Sequence, residues 1–318
     1  MTSARGTPTA AAIVRGDRRA LARAITLVES GDEAADRLLR AIFPRTGRVP
    51  IVGLAGPLGV GKSSLVNLLA AHLRAQGRSV GIVAVDPSSP FSGGSVLGDR
   101  IRFDRGTGGP DVFFRSMASR GAAGGVAEAT RDVVRLLEAA GFDVVLVETV
   151  GSGQVDVAIR GVATTRVVVL VPHLGDQVQT LKAGLFEIAD VFCVNKSDLP
   201  GSEIAERDLS ELASLGAGPD GWRSRIVRTS TVVPSGIPQL WSAIEAHEGF
   251  RAGSPDHAAE QRKRLEEEIV DRVRDVVSRD VARRLATDPG LRTLVDQVVA
   301  RKLDPRSAAD RLVPKGRR

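Results

Sequence analysis

The sequence contains a single cysteine, Cys193, in 318 residues. One thiol excludes an internal disulfide and a Cys-rich metal centre, and it fits a chain kept in a reducing compartment such as the cytoplasm. Aromatic residues are scarce as well, at 3%, and no Phe or Trp is interleaved with the arginines, so the stacking platforms used by single-strand binders are missing. The four histidines, His72, His173, His247 and His257, are scattered without metal-ligand spacing. No apolar run reaches the length of a membrane span, and residues 1–25 carry Arg5, Arg15, Arg18, Arg19 and Arg23 where a signal peptide would be unbroken and apolar.

What is present is the composition of an ordinary globular chain, 42% hydrophobic and 26% charged. The length suits one α/β domain of about 200 residues with helical additions. The net charge of +6 is concentrated near the C-terminus, where residues 260–318 hold 16 Lys and Arg against 11 Asp and Glu. There the signs alternate, as in Arg262-Lys263-Arg264-Leu265-Glu266-Glu267-Glu268, which marks a solvated helix face, and no nucleic-acid partner is expected.

Apolar residues at helical spacing (Leu21, Ile25, Val28, Leu38, Leu39, Ile42) predict a pair of N-terminal helices broken near Gly31. After Pro44 short apolar runs at 51–55, 80–85, 144–147, 167–171, 191–194 and 226–227 alternate with amphipathic stretches at 63–76, 126–140, 177–189, 203–215 and 238–247. Runs without polar alternation suit strands buried on both faces, so the expected fold is α/β, a doubly wound and mostly parallel sheet. The Gly, Ser and Pro of residues 249–255 suggest a boundary. Helices are expected beyond it at 256–285, 291–300 and 305–312, followed by a basic end. The expected division is an N-terminal helical extension (1–45), a nucleotide-binding domain (46–250) and a C-terminal helical arm (251–318).

The strongest motif is Gly56-Pro57-Leu58-Gly59-Val60-Gly61-Lys62-Ser63, set between an apolar strand and a helical stretch, with Ser64 next. Glycines let such a loop curl so that backbone N–H groups point at phosphate oxygens, and the following helix adds its positive end. Lys62 is then the point charge for the β- and γ-phosphates, and Ser63 offers a hydroxyl to Mg²⁺. Asn195-Lys196-Ser197-Asp198 closes the run at 191–194. Guanine presents N1–H and an amino group side by side, which one carboxylate accepts together, whereas adenine would leave that carboxylate unpaired. Asp198 is therefore the candidate specificity residue, with Asn195 holding the loop and Lys196 lying over the ring. A backbone N–H of Thr229, Ser230 or Thr231 is a candidate donor to the base oxygen. Asp86, Asp99 and Glu148 lie at strand ends or in a loop, where an open parallel sheet gathers its ligand, and are candidate metal carboxylates. Gln154 and Asp156 follow Glu148-Thr149-Val150-Gly151, a stretch resembling a γ-phosphate switch.

These motifs, with Val85-Asp86-Pro87-Ser88-Ser89, Leu97-Gly98-Asp99-Arg100, Arg115-Ser116-Met117-Ala118-Ser119-Arg120-Gly121 and Glu187-Ile188-Ala189-Asp190, resemble the MeaB/ArgK family of P-loop GTPases from about Leu21 to His247. The resemblance implies slow, partner-stimulated hydrolysis of GTP to GDP with Mg²⁺, by a chaperone of an adenosylcobalamin-dependent acyl-CoA mutase, typically methylmalonyl-CoA mutase. It assists cofactor loading and protects the mutase from inactivation. A homodimer held in part by helical extensions is also implied. Carried onto this sequence, Lys62, Glu148 and Gln154 are catalytic, and Ser63, Asp86, Asp99 and Glu148 surround the metal. Asn195 with Asp198 takes the guanine. Three other readings exist: a metal-delivery GTPase, for which the Cys/His cluster is missing; a kinase of a transport-binding protein, which would need ATP; and a structural dimer module in which the nucleotide only holds the fold.

Overall fold

The computed structural model describes residues 7–86, 111–118, 123–149, 159–172, 188–214 and 221–312. Seven strands form one sheet: β1 (Ile51–Ala55), β2 (Val80–Asp86), β3 (Val112–Ala118), β4 (Val144–Thr149), β5 (Thr165–Leu170), β6 (Val191–Val194) and β7 (Arg225–Arg228). Their spatial order is β3-β2-β4-β1-β5-β6-β7, and every pairing is parallel. β1 and β4 are buried at every position, as expected when helices cover both faces.

Two separate cores lie on the two faces. Helices α1 (Ala10–Val14), α2 (Arg18–Ser30), α3 (Glu33–Ile42) and α5 (Ala123–Ala139) supply one, through residues such as Leu21, Ile25, Leu38 and Leu136. Ala205 and Leu209 of α6 (Ser202–Ser214) join the same cluster. The other core comes from α4 (Lys62–Ala75) and α7 (Ile237–Gly253), through Leu65, Leu69, Leu73, Leu240 and Trp241. In α4 the apolar residues recur at three- and four-residue spacing, which places them on the sheet side. Each fully buried leucine of this kind contributes about 1.5–3 kcal/mol.

The N-terminal extension has three helices rather than two. α1 is a single turn and a half capped by the Thr9 hydroxyl, and Asp17 starts α2 by accepting from the N–H groups of Arg19 and Ala20. The break near Gly31 is present, with that glycine in the left-handed conformation at the end of α2. The boundary suggested at 249–255 is narrower than the composition implied. Gly249 and Gly253 lie inside α7, whose buried Trp241, Ile244 and His247 hold the helix through its glycines, and the helix stops at Ser254. The chain divides into two compact units, Met1–Ala258 and Ala259–Arg318. The second is built from most of α8 (His257–Thr287) with α9 (Pro289–Val299) and α10 (Pro305–Leu312). Among the described residues no helix is long and apolar enough to cross a membrane.

The chain leaves β1, adds β2 and β3 beyond β4, returns to β4, and then crosses to β5, β6 and β7 on the other side. The direction of winding therefore reverses beside β1. A ligand crevice is expected at the carboxyl ends of the strands at such a reversal. The phosphate loop leaves β1 at that place.

Candidate functional site

The loop from Gly56 to Gly61 joins β1 to α4, and its glycines are required by position. Gly61 caps α4 with φ of 96°, and a Cβ there would lie 2.4 Å from the Asn195 amide nitrogen. Gly56 has φ of 142°, and a Cβ would meet the Val169 carbonyl oxygen at 2.2 Å. No side chain caps α4, and the start of a helix is where N–H groups can be offered to an anion. Lys62 is buried, and its Nζ donates to the carbonyls of Gly56 at 2.6 Å and Pro57 at 2.9 Å. The ammonium is thus held inside the curl of the loop, where phosphate oxygens would replace the carbonyls.

Ser63 stands one residue further along α4, and its hydroxyl donates to Glu148 Oε1 at 2.5 Å. Glu148 lies within β4 rather than just after it, paired in register with Leu54 of β1 and Ala84 of β2. The next residue, Thr149, donates its hydroxyl to the Leu54 carbonyl at 3.2 Å, which fixes the end of β4 against β1. A hydroxyl and a carboxylate side by side at the phosphate loop are the hard oxygen donors that Mg²⁺ accepts along with phosphate oxygens and water. The residues present therefore fit the ion. Asp86 is the last residue of β2, two positions past the level of Glu148. Asp99, Gln154, Asp156 and His173 lie outside the described residues, as does most of the helix expected at 177–189. No group of three or more His, Cys, Asp or Glu side chains among the described residues forms a self-sufficient metal centre. Ions here would depend on the nucleotide's own oxygens.

The strand β6 delivers Asn195 into the interior, where it is fully buried. Its amide donates to the Val60 carbonyl at 2.8 Å, and its Oδ1 accepts from the Thr229 hydroxyl at 3.1 Å. Thr229 in turn lies 3.1 Å from the Cys193 sulfur. Lys196 adopts φ of 58°, a left-handed turn that costs a non-glycine residue roughly 1–2 kcal/mol and reverses the chain toward Asp198. Asp198 is exposed, and its Oδ1 accepts from the Ser230 hydroxyl, which itself accepts from the Val233 N–H at 3.1 Å.

The backbone donor expected after β7 is corrected in part. The Thr229 N–H donates to Val194 at 2.9 Å and the Ser230 N–H to Ser235 at 3.2 Å, because the chain closes a small bridge there. Ser230 thus acts on Asp198 through its hydroxyl, and of the three only Thr231 keeps its N–H without a backbone acceptor among the described residues. Two features escaped the sequence reading. β3 was missed although Val112-Phe113-Phe114 is an apolar run of the right composition. A buried polar cluster at the opposite end of the sheet was missed too. There His247 Nδ1 lies 2.7 Å from the Thr165 hydroxyl, and Arg166 clasps Asp190 at 2.5 and 2.7 Å.

A wholly parallel sheet and a glycine loop folded round a lysine at the start of a helix, with Asn195 at the end of β6 bonded to that loop, define a P-loop nucleoside triphosphatase fold. The family model described as methylmalonyl-CoA mutase-associated GTPase MeaB matches residues 21–286, and the chain belongs to that family. A Pyrococcus abyssi protein assigned as a GTPase is 45% identical over 302 residues, covering 94% of this chain and 93% of that one. The mouse protein named methylmalonic aciduria type A homolog, mitochondrial, is 32% identical over 323 residues, covering 95% of this chain and 77% of that one. The crystal structure of a LAO/AO transport system kinase superposes with a TM-score of 0.72 at 26% identity, covering 98% and 97% of the two chains. The chain is a GTPase.

Proposed function

We propose that the chain uses GTP binding and hydrolysis to assist an adenosylcobalamin-dependent acyl-CoA mutase, methylmalonyl-CoA mutase being the first choice, in loading and protecting its cofactor. The observation that carries this reading is the match over residues 21–286 to a family described by its association with that mutase. The mouse relative, named for methylmalonic aciduria, supports it.

In this reading Lys62 holds the β- and γ-phosphates, and the N–H groups at the start of α4 hold the oxygens around them. Ser63 and Glu148, with Asp86 and Asp99, hold Mg²⁺, which neutralises charge on the phosphates when bound. Gln154 orients the attacking water. Gly56, Gly59, Val60, Gly61 and Ser64 shape the phosphate cradle, and Asn195, Lys196, Asp198 and Ser230 hold the guanine. The partner is met in the cytoplasm, and the protein works as a homodimer. A stripe of exposed apolar residues on α8, including Leu265, Ile269, Val273 and Val276, supports a helix-mediated dimer, because the residues recur at helical spacing and none is buried.

The test is calorimetry with GTP, ATP and xanthosine triphosphate, combined with phosphate release in the presence and absence of a purified mutase. GTP is expected to bind at least about tenfold more tightly than ATP, and Asp198→Asn to shift the preference toward the xanthine nucleotide. The mutase is expected to raise phosphate release, since charges positioned by a second protein can add about 10³ or more to such a rate. Equal affinity for GTP and ATP would favour the kinase named by the structural relative. Phosphate release that ignores every mutase would remove the chaperone role and leave the GTPase.

A further inference from the structure

The end strand β7 leaves one side of the sheet open. Thr229 turns both its backbone groups toward β6, its N–H donating to Val194 and its carbonyl accepting from Ser197, each at 2.9 Å. Alternation along the strand gives Arg225 and Val227 the same direction and points the N–H and carbonyl of Ile226 outward, with the Arg228 N–H beside them. Among the described residues no strand pairs with that side. Gly236 packs on the Arg228 carbonyl, so the open stretch is the first half of the strand.

Beside this edge is a cleft of about 520 Å³ between Arg225 and Val227 of β7 and Pro238, Gln239 and Ala243 of α7. Val227 and Ala243 give it an apolar wall. Arg225 brings a positive charge to it, and Arg223 lies two residues earlier in the chain. Arg223 and Arg225 are exposed, and among the described residues neither has an ion-pair partner, the Arg225 guanidinium resting 5.6 Å above the Trp222 ring. On the other face of the strand Arg228 is neutralised by Glu203 at 3.3 Å and Glu206 at 3.0 Å. Among the described residues Arg225 thus lies unpaired at the cleft, whereas Arg228 on the other face is paired.

We propose that the outer edge of β7 is a strand-addition site for an extended segment of a partner protein carrying an acidic residue two positions from an apolar one. Main-chain bonds to Ile226 and Arg228 supply the affinity, and the cleft and arginines supply the selection. Residues two apart on an added strand share a face. One places its apolar side chain in the cleft, and the next brings a carboxylate to Arg225. The edge, the cleft and Arg225 carry the proposal independently of the mutase reading.

Two labelled, end-blocked octapeptides test it on the full chain by fluorescence anisotropy. One alternates valine and glutamate at every second position, and the other carries lysine in place of glutamate. The acidic peptide is expected to bind at least about tenfold more tightly, and the double variant Arg223→Glu/Arg225→Glu to reverse the order. Ile226→Pro removes the outward N–H and is expected to weaken the acidic peptide at least about tenfold while GTP still binds. Should that variant fail to fold, N-methylation of alternate peptide amides reports on the same bonds without touching the protein. Binding that is equal for both peptides, or unaffected by N-methylation, overturns the proposal. So does the absence of binding, which would leave the arginines as guards against self-pairing of the edge.

Discussion

The Asn195 side chain bonds the phosphate loop at the Val60 carbonyl and the end of β7 at the Thr229 hydroxyl, so these two segments meet on one buried amide. Asn195→Ala would leave that hydroxyl and carbonyl without this partner in a place closed to water, at a cost of about 1–3 kcal/mol. The expected result is a fall in GTP affinity of roughly tenfold to a hundredfold with a lowered melting temperature. Calorimetry and a thermal melt read both. Unchanged affinity would show that the two loops are positioned independently.

Ser63 and Glu148 give a second prediction. Their hydrogen bond of 2.5 Å places a hydroxyl and a carboxylate together where Mg²⁺ would lie with the phosphates. GTP binding by the wild type should tighten on adding Mg²⁺. Ser63→Ala and Glu148→Gln should each lose most of that gain while keeping the affinity measured in EDTA, because Lys62 and the α4 N–H groups do not depend on the ion. Hydrolysis is expected to fall about 10²-fold or more, as when one preorganised electrostatic group is removed from a charged transition state. Retention of the full magnesium effect in both variants would place the ion elsewhere.

Cys193 gives a third. It lies in the middle of β6, fully buried, and burial pushes its thiol up to about 12, with the Thr229 hydroxyl opposing weakly. The thiolate is the reactive form, so native protein at pH 8 should resist iodoacetamide while the denatured chain is alkylated at once. The linkage has a definite sign. The folded thiol keeps its proton longer than the unfolded one, so this contribution to stability is complete below about pH 9 and is lost as pH rises toward about 12. Cys193→Ala should flatten that alkaline loss in urea titrations. Rapid alkylation of the native protein would contradict the burial.

The motifs of the candidate site can be read from the sequence because each is short and contiguous. A phosphate loop needs its glycines, lysine and serine in one turn, and a base-reading loop needs its Asn and Asp three residues apart. The strands β1 and β6 were legible from continuous apolar runs that only a doubly covered sheet tolerates. Contacts across long separations were not legible. Nothing local in Thr229 announces that it braces Asn195, and nothing in Ser230 shows that its hydroxyl rather than its N–H turns to the base loop. The extent of α7 was not legible, since composition records the flexibility of Gly249 and Gly253 but not the buried neighbours that hold the helix.

His247 carries the last prediction. It is buried on α7 beside the start of β5, with its Nδ1 on the Thr165 hydroxyl at 2.7 Å and the Trp222 ring edge-on at 5.0 Å. Burial lowers its pKa below the ordinary value of 6.5. The carboxylates of Asp190 and Glu248 oppose that shift, and the guanidinium groups of Arg166 and Arg251 reinforce it. Glu248, on the same helix, is held low despite its burial by Arg251 and the hydroxyls of Thr164 and Thr165, so it stays charged through the range in which His247 titrates. The folded imidazole therefore takes its proton later than the unfolded one as acid is added. Its contribution to stability is complete above the ordinary histidine value and is lost as pH falls through that value toward the lowered one. His247→Asn should be less stable at pH 7.5, by about 1–3 kcal/mol for the disturbed buried bonds, yet its stability should be flatter than the wild type's as pH falls below 6.5. Urea denaturation at stepped pH, followed by the fluorescence of Trp222 and Trp241, measures both. Parallel slopes for variant and wild type would mean that another group sets the acid limit of the fold.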